Sequence, residues 1–129
     1  MTLSDCISRV DSQLPNQYTV EEKINWLAHL DATIRKDVID RHKTYEDGIE
    51  VEPIAFKPYT INSMTEELIA PFPYDELYVS YVKAKIHELN EETYRYNNEV
   101  TLYNNLMSTF AKDYHRTHEW KDDTVVKLW

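Results

Sequence analysis

The chain holds a single glycine, Gly48, and that scarcity removes whole classes of function at once. Glycine-rich phosphate loops and dinucleotide-binding fingerprints need several glycines for tight turns and for close backbone approach to phosphate, so the commonest nucleotide-binding folds drop out. Cysteine is equally scarce: Cys6 stands alone and cannot form an internal disulfide. No apolar run approaches the roughly 20 residues that a membrane-spanning helix requires. The amino end, MTLSDCISRVDSQL, lacks the basic head and apolar middle of a signal peptide, so a cytoplasmic product is expected. Basic residues are also in short supply, 14 against 23 acidic ones, with no local Lys/Arg cluster. A surface of that sign repels nucleic-acid phosphates, and sequence reading on DNA or RNA is not expected.

Aromatic rings, by contrast, are plentiful. Ten Tyr and three Trp in 129 residues exceed what a modest core takes up. Two readings stay open, a tyrosine-rich core or surfaces on which rings serve protein contacts. A chain of this length is expected to form one domain whose core needs neither metal nor disulfide.

The patterning predicts a mainly α fold. The first helix takes Thr2 as N-cap with Asp5 as its capping-box partner, shows Leu3, Cys6, Ile7 and Val10 on one face, and stops near Leu14. After Pro15, a second capping box of Thr19 and Glu22 opens a helix expected to run to about Lys43. Its apolar stripe is Ile24, Leu27, Leu30, Ile34 and Val38, with Glu21, Glu22, Lys23, Arg35, Lys36 and Asp37 largely outside. From Thr44 to Pro73 the helical period is lost, and Gly48 and four of the five prolines fall there. One or two short strands are expected in this arm, around Ile49 to Val51 and Ile54 to Phe56, plus a helical turn at Ser63 to Ile69.

A third helix should begin after Pro71-Phe72-Pro73, at Tyr74 or Asp75, with a broad apolar face that includes Leu77, Tyr78, Tyr81, Val82, Ala84, Ile86 and Leu89. Asn90 and Glu91 then turn the chain into a fourth helix. Its stripe of Tyr96, Val100, Tyr103, Met107, Phe110 and Tyr114 is spaced 4, 3, 4, 3, 4. Helices three and four are expected to form an antiparallel hairpin with that stripe as its core and Asn97, Asn98, Asn104 and Asn105 as its polar margin. The architecture is thus a four-helix antiparallel bundle with a long irregular or short-stranded excursion between helices two and three and an extended C-terminal tail. Residues 1–118 form the domain, with the arm at 44–73 inserted, and 119–129 form the tail.

Chemistry-bearing residues are sparse. His115 and His118 lie three apart near Asp113 and offer two imidazoles to a metal, but no third ligand is fixed by spacing, and the helix dipole accounts for histidines at a C-terminus. Carboxylate pairs such as Glu46-Asp47 and Glu91-Glu92 show adjacency, not convergence in a pocket. Cys6 falls on an apolar face and reads as a small buried hydrophobe, and His29, Asp31, His42 and His87 are assigned to structure. No catalytic residue, cofactor or metal is therefore expected. The expected interface residues are Ile54, Phe56, Tyr59 and Ile61 in the arm and Trp120, Val125, Val126, Leu128 and Trp129 in the tail. Such a tail either tucks into its own core or is donated to a neighbour as a strand.

Several runs carry a family likeness. Pro71-Phe72-Pro73-Tyr74-Asp75-Glu76-Leu77-Tyr78, Arg95-Tyr96-Asn97-Asn98, Tyr103-Asn104, Phe110 and Tyr114-His115-Arg116-Thr117-His118, with Leu14-Pro15-Asn16-Gln17-Tyr18 near the start, resemble head-to-tail connector (adaptor) proteins of tailed phages and prophages. The resemblance implies a non-catalytic, mostly helical virion subunit made in the bacterial host cytoplasm. It implies a homo-oligomeric ring, dodecameric in the family pattern, that sits under the portal protein and links it to a tail completion or neck protein. DNA would pass the lumen without specific binding, which the acidic balance suits, and no membrane would be involved. The middle segment is longer here than in that pattern. The other reading is a small acidic cytoplasmic helical regulator or inhibitor that occupies the groove of a basic protein partner.

Overall fold

The structure, a computed structural model, describes residues 1–121; Val125, Val126, Leu128 and Trp129 lie outside the described residues. Four helices carry the fold, α1 (Leu3–Gln13), α2 (Val20–Asp37), α3 (Glu76–Leu89) and α4 (Thr93–Thr117), with a two-stranded excursion between α2 and α3. The expected mainly α class is what the chain adopts. No helix among the described residues is long and apolar enough to cross a membrane.

Both amino-terminal helices start as their side chains dictate. Thr2 Oγ1 accepts from the Asp5 N–H at 3.1 Å while Asp5 accepts from the Thr2 N–H, and Thr19 and Glu22 repeat the exchange on α2. Between the helices, Asn16 closes the turn by accepting from the Tyr18 N–H at 3.1 Å. Lys23 corrects an expectation, because it is buried and not on the outer face. Its Nζ donates to Asp11 at 2.7 Å and to the Tyr18 carbonyl at 2.9 Å, tying the end of α1 to the first turn of α2.

Helix α2 ends at Asp37, short of the expected Lys43. The chain tightens into a 3-10 turn at Ile39–Arg41, where Arg35 Nε donates to Asp40 at 2.7 Å, and His42 then turns extended. Strands β1 (Thr44–Glu46) and β2 (Ile49–Val51) pair antiparallel across Asp47-Gly48. Both turn residues lie in the left-handed region, at φ 52 and 79, which is the geometry of a two-residue hairpin. The second expected strand, Ile54 to Phe56, does not form. Nor does the helical turn sit at Ser63 to Ile69: it is a 3-10 turn at Ile61–Ser63, with Thr60 as its cap. The reason lies at the start of α1, whose Leu3 and Ser4 N–H groups donate to the Glu66 and Met64 carbonyls at 3.1 and 2.9 Å. The Met1 carbonyl in turn accepts from the Leu68 N–H at 2.9 Å. A helical segment there would withdraw those groups from their partners.

Helix α3 is the centre of the molecule, in contact with α1, α2 and, most extensively, α4. Leu77, Tyr78, Val79, Ser80, Val82, Ala84, Ile86 and His87 are all buried along it. A link of three residues, Asn90 to Glu92, joins it to α4, with Glu91 at φ 60. Tyr74 meets Phe110 at 5.8 Å and Tyr81 meets Tyr103 at 5.4 Å, an antiparallel register. The opposing helix is less immersed: Phe110 is its one buried side chain, and the rest of its aromatic stripe is half-buried.

Candidate functional site

Asp31 is the most heavily engaged polar residue of the fold. It sits on the apolar row of α2, four residues after Leu27 and three before Ile34, and is fully buried. One oxygen accepts from the Tyr78 hydroxyl at 2.5 Å; the other accepts from the Tyr59 hydroxyl at 2.5 Å and the Ile69 N–H at 3.2 Å. The Tyr78 oxygen accepts in turn from the Ala70 N–H at 2.7 Å. Burial raises the Asp31 pKa, and the three donors only partly oppose it. Burial beside this carboxyl also pushes both phenols far upward, so each keeps its proton and serves as a donor. What the arrangement does is mechanical: one side chain of α2 holds the arm at Tyr59 and Ile69 and holds α3 at Tyr78. Arg35 adds a second tether by donating to the Ile54 carbonyl.

A second cluster closes the other end of the arm. Residues 119–121 run back along 41–43, with the Lys43 N–H on the Glu119 carbonyl at 2.7 Å and the Lys121 N–H on the Arg41 carbonyl at 3.1 Å. Beneath them His42 is buried, its Nδ1 3.1 Å from the His118 carbonyl and its Nε2 2.7 Å from His115 Nδ1. Because a carbonyl only accepts, Nδ1 of His42 carries a proton. A neutral His42 then presents a lone pair at Nε2, and His115 Nδ1–H donates to it. Trp120 covers the pair, 4.3 Å from the His42 ring and 4.6 Å from the His115 ring. Burial lowers the pKa of both histidines. One proton can be shared across the contact; a second puts two N–H groups face to face.

The metal reading of the sequence took His115 with His118. In the structure His115 meets His42 through its Nδ1, while the His118 ring stacks on Tyr114 at 3.6 Å and stands 6.0 Å from the His42 ring. Among the described residues no three His, Cys, Asp or Glu side chains converge as a ligand set. Cys6 is buried, and burial pushes its thiol up to about 12.

Of the expected interface residues, Ile54 is 84% exposed and Ile61 is also exposed, whereas Phe56 leans on the Tyr59 ring at 5.4 Å and Tyr59 is committed to Asp31. Trp120 is committed to the histidines. Ile49 at 68% and Phe72 at 85% exposure join Ile54 and Ile61 on the arm's outer surface. Between the hairpin and the helices lies a groove of about 470 Å³ lined by Arg35, Ile39, Tyr45, Val51, Ile54 and Tyr114. Four carboxylates, Glu46, Asp47, Glu50 and Glu52, are exposed along the hairpin.

Comparison with known protein families, curated proteins and solved structures finds no match for this chain. Three features of the site escaped sequence reading. Asp31 could have been found as the one acidic residue on the α2 stripe, and the hairpin from Asp47-Gly48 between short apolar runs. The His42 and His115 pairing has no local signal, since the partners are 73 residues apart.

Proposed function

We propose that the chain is a structural adaptor of a tailed-phage virion, a subunit of a ring that docks beneath the portal protein and presents a surface to the next tail component. The observation that carries this reading is the arm. Ile49, Ile54, Ile61 and Phe72 hold large apolar side chains in solvent, on a segment anchored from behind by Asp31 and Arg35. Anchored apolar side chains of this kind suit a surface that a partner covers. The engaged state of Asp31 and the inert setting of Cys6 are in keeping with a role in assembly and not in catalysis. Mass photometry of the protein, alone and with a tailed-phage portal protein, tests the proposal. A ring or a portal complex that is lost in a variant with both Ile54→Glu and Phe72→Glu is the expected result. A strict monomer that ignores portal at micromolar concentration overturns it.

The acidic hairpin favours a second reading, a regulator that inserts this finger into a basic groove. Recovery of a nuclease or DNA-binding protein in a pull-down, with loss of capture on Glu50→Lys, would select it over the adaptor.

A further inference from the structure

Among the described helices, α4 has the one outer face almost free of charge. Between Arg95 and Lys112 the one charged side chain is Glu99, half-buried in a groove that it lines with Lys83, His87 and Arg95, and at whose outer edge the exposed Asn98 stands. The outward positions are Asn97, Asn98, Thr101, Leu102, Asn104, Asn105, Ser108 and Thr109, all exposed. On α2 the corresponding exposed positions include Glu21, Glu22, Lys36 and Asp37. Asn and Thr are poorer helix formers than the Glu and Lys that usually fill a solvated face, so this composition weakens the helix where packing asks for nothing. Thr101 and Thr109 turn back on the Asn97 and Asn105 carbonyls at 2.9 and 2.8 Å. The four Asn amides make no hydrogen bond to another described residue.

We propose that this face binds the same face of a second copy of the chain. Two arguments select a second copy over another partner. With a net charge of -9, two copies repel wherever charged faces meet, and this is a long face on which they can approach without that repulsion. An amide both donates and accepts, so an Asn-rich face is complementary to itself, which is what a two-fold contact requires. Asn98, Leu102, Asn105 and Thr109 are spaced 4, 3, 4, the seam of a helix pair, with Leu102, 53% exposed, as its apolar knob. Polar seam residues set register at a cost in strength, and a contact over about 18 Å of helix is small, so the expected dissociation constant is micromolar or weaker. The inference does not depend on the adaptor reading.

Sedimentation of the full chain from about 5 to about 500 µM spans that affinity range. The expected result is a reversible dimer whose dissociation constant rises at least tenfold in Leu102→Lys and in Asn105→Lys, with circular dichroism unchanged because both positions are exposed. Leu102→Cys should also give a covalent dimer with a short bismaleimide, since the native Cys6 is buried, while Ile49→Cys on the hairpin should not. A wild-type chain that stays monomeric throughout, or self-association indifferent to both lysine variants, overturns the proposal. A ring on portal, formed by a chain whose free form never dimerises, removes the α4 contact and leaves the adaptor standing. A dimer broken by that variant, without any portal binding, does the reverse.

Discussion

The α3 and α4 hairpin and the arm are both long excursions from the α1 and α2 pair, yet they are held by different physics. The hairpin is fixed by area: α3 is buried on nearly every side, and rings interleave along its length. The arm enters the core only where Leu68 and Ala70 are buried, and its remaining length is fixed at points, by a carboxylate at Tyr59 and Ile69, a guanidinium at Ile54 and backbone pairing at Met64 to Leu68. Area gives stability spread over many contacts, whereas point anchors give position that a single substitution can remove. The arm can thus display apolar side chains because it does not need them for its own support.

The sharpest way to break the comparison is Phe110→Ala, expected to cost about 3–5 kcal/mol, because it opens the one fully buried position of α4. Chemical denaturation should show a global loss, with the arm and helices unfolding together. Asp31→Ala is expected to cost about 2–3 kcal/mol by orphaning the buried Tyr78 hydroxyl and the half-buried Ile69 N–H. Its signature is regional: amide exchange should accelerate first at Tyr59 to Ala70, and equal acceleration in α4 would sink the idea of a point anchor.

Much of this fold was legible in the residues, because capping boxes and apolar periods are local. Thr2 with Asp5, Thr19 with Glu22, and the turn at Asn90 all form where they were expected. The end of α2 was not legible, since the contacts that stop it, Arg35 with Asp40 and His42 under Trp120, are not written in the helical period. The same holds for the anchor: Asp31, Tyr59 and Tyr78 are separated by an arm and a helix start. Periodicity describes one element at a time and cannot name the partner of a polar residue on an apolar row.

Acid should loosen the clasp before the helices. His42 and His115 have folded pKa values below the ordinary 6.5. Between those values and 6.5 the unfolded chain binds more protons than the folded one. Their contribution is therefore complete above pH 6.5 and is lost as pH falls through the lowered values. Thermal midpoints measured against pH should decline below 6.5, and His115→Gln should flatten that decline. A decline of unchanged steepness in the variant would count against the clasp. The smallest effect is Gly48→Ala, about 1 kcal/mol, because φ +79 is strained for any side chain even though space is open there. Faster exchange at Tyr45 and Glu50, with the remaining protein unaltered, would separate the hairpin from the arm's anchors.

Helix α4 is 25 residues long against 14 for α3, roughly 37 Å against 21 Å, so its last turns overrun the hairpin and reach His42 and the base of the arm. It is a spar as well as a wall. A load taken up near Leu102 is carried along one continuous rod to Tyr114 and His115, and the rod has no glycine or proline at which to bend. The middle of α4 and the base of the arm therefore belong to one stiff element.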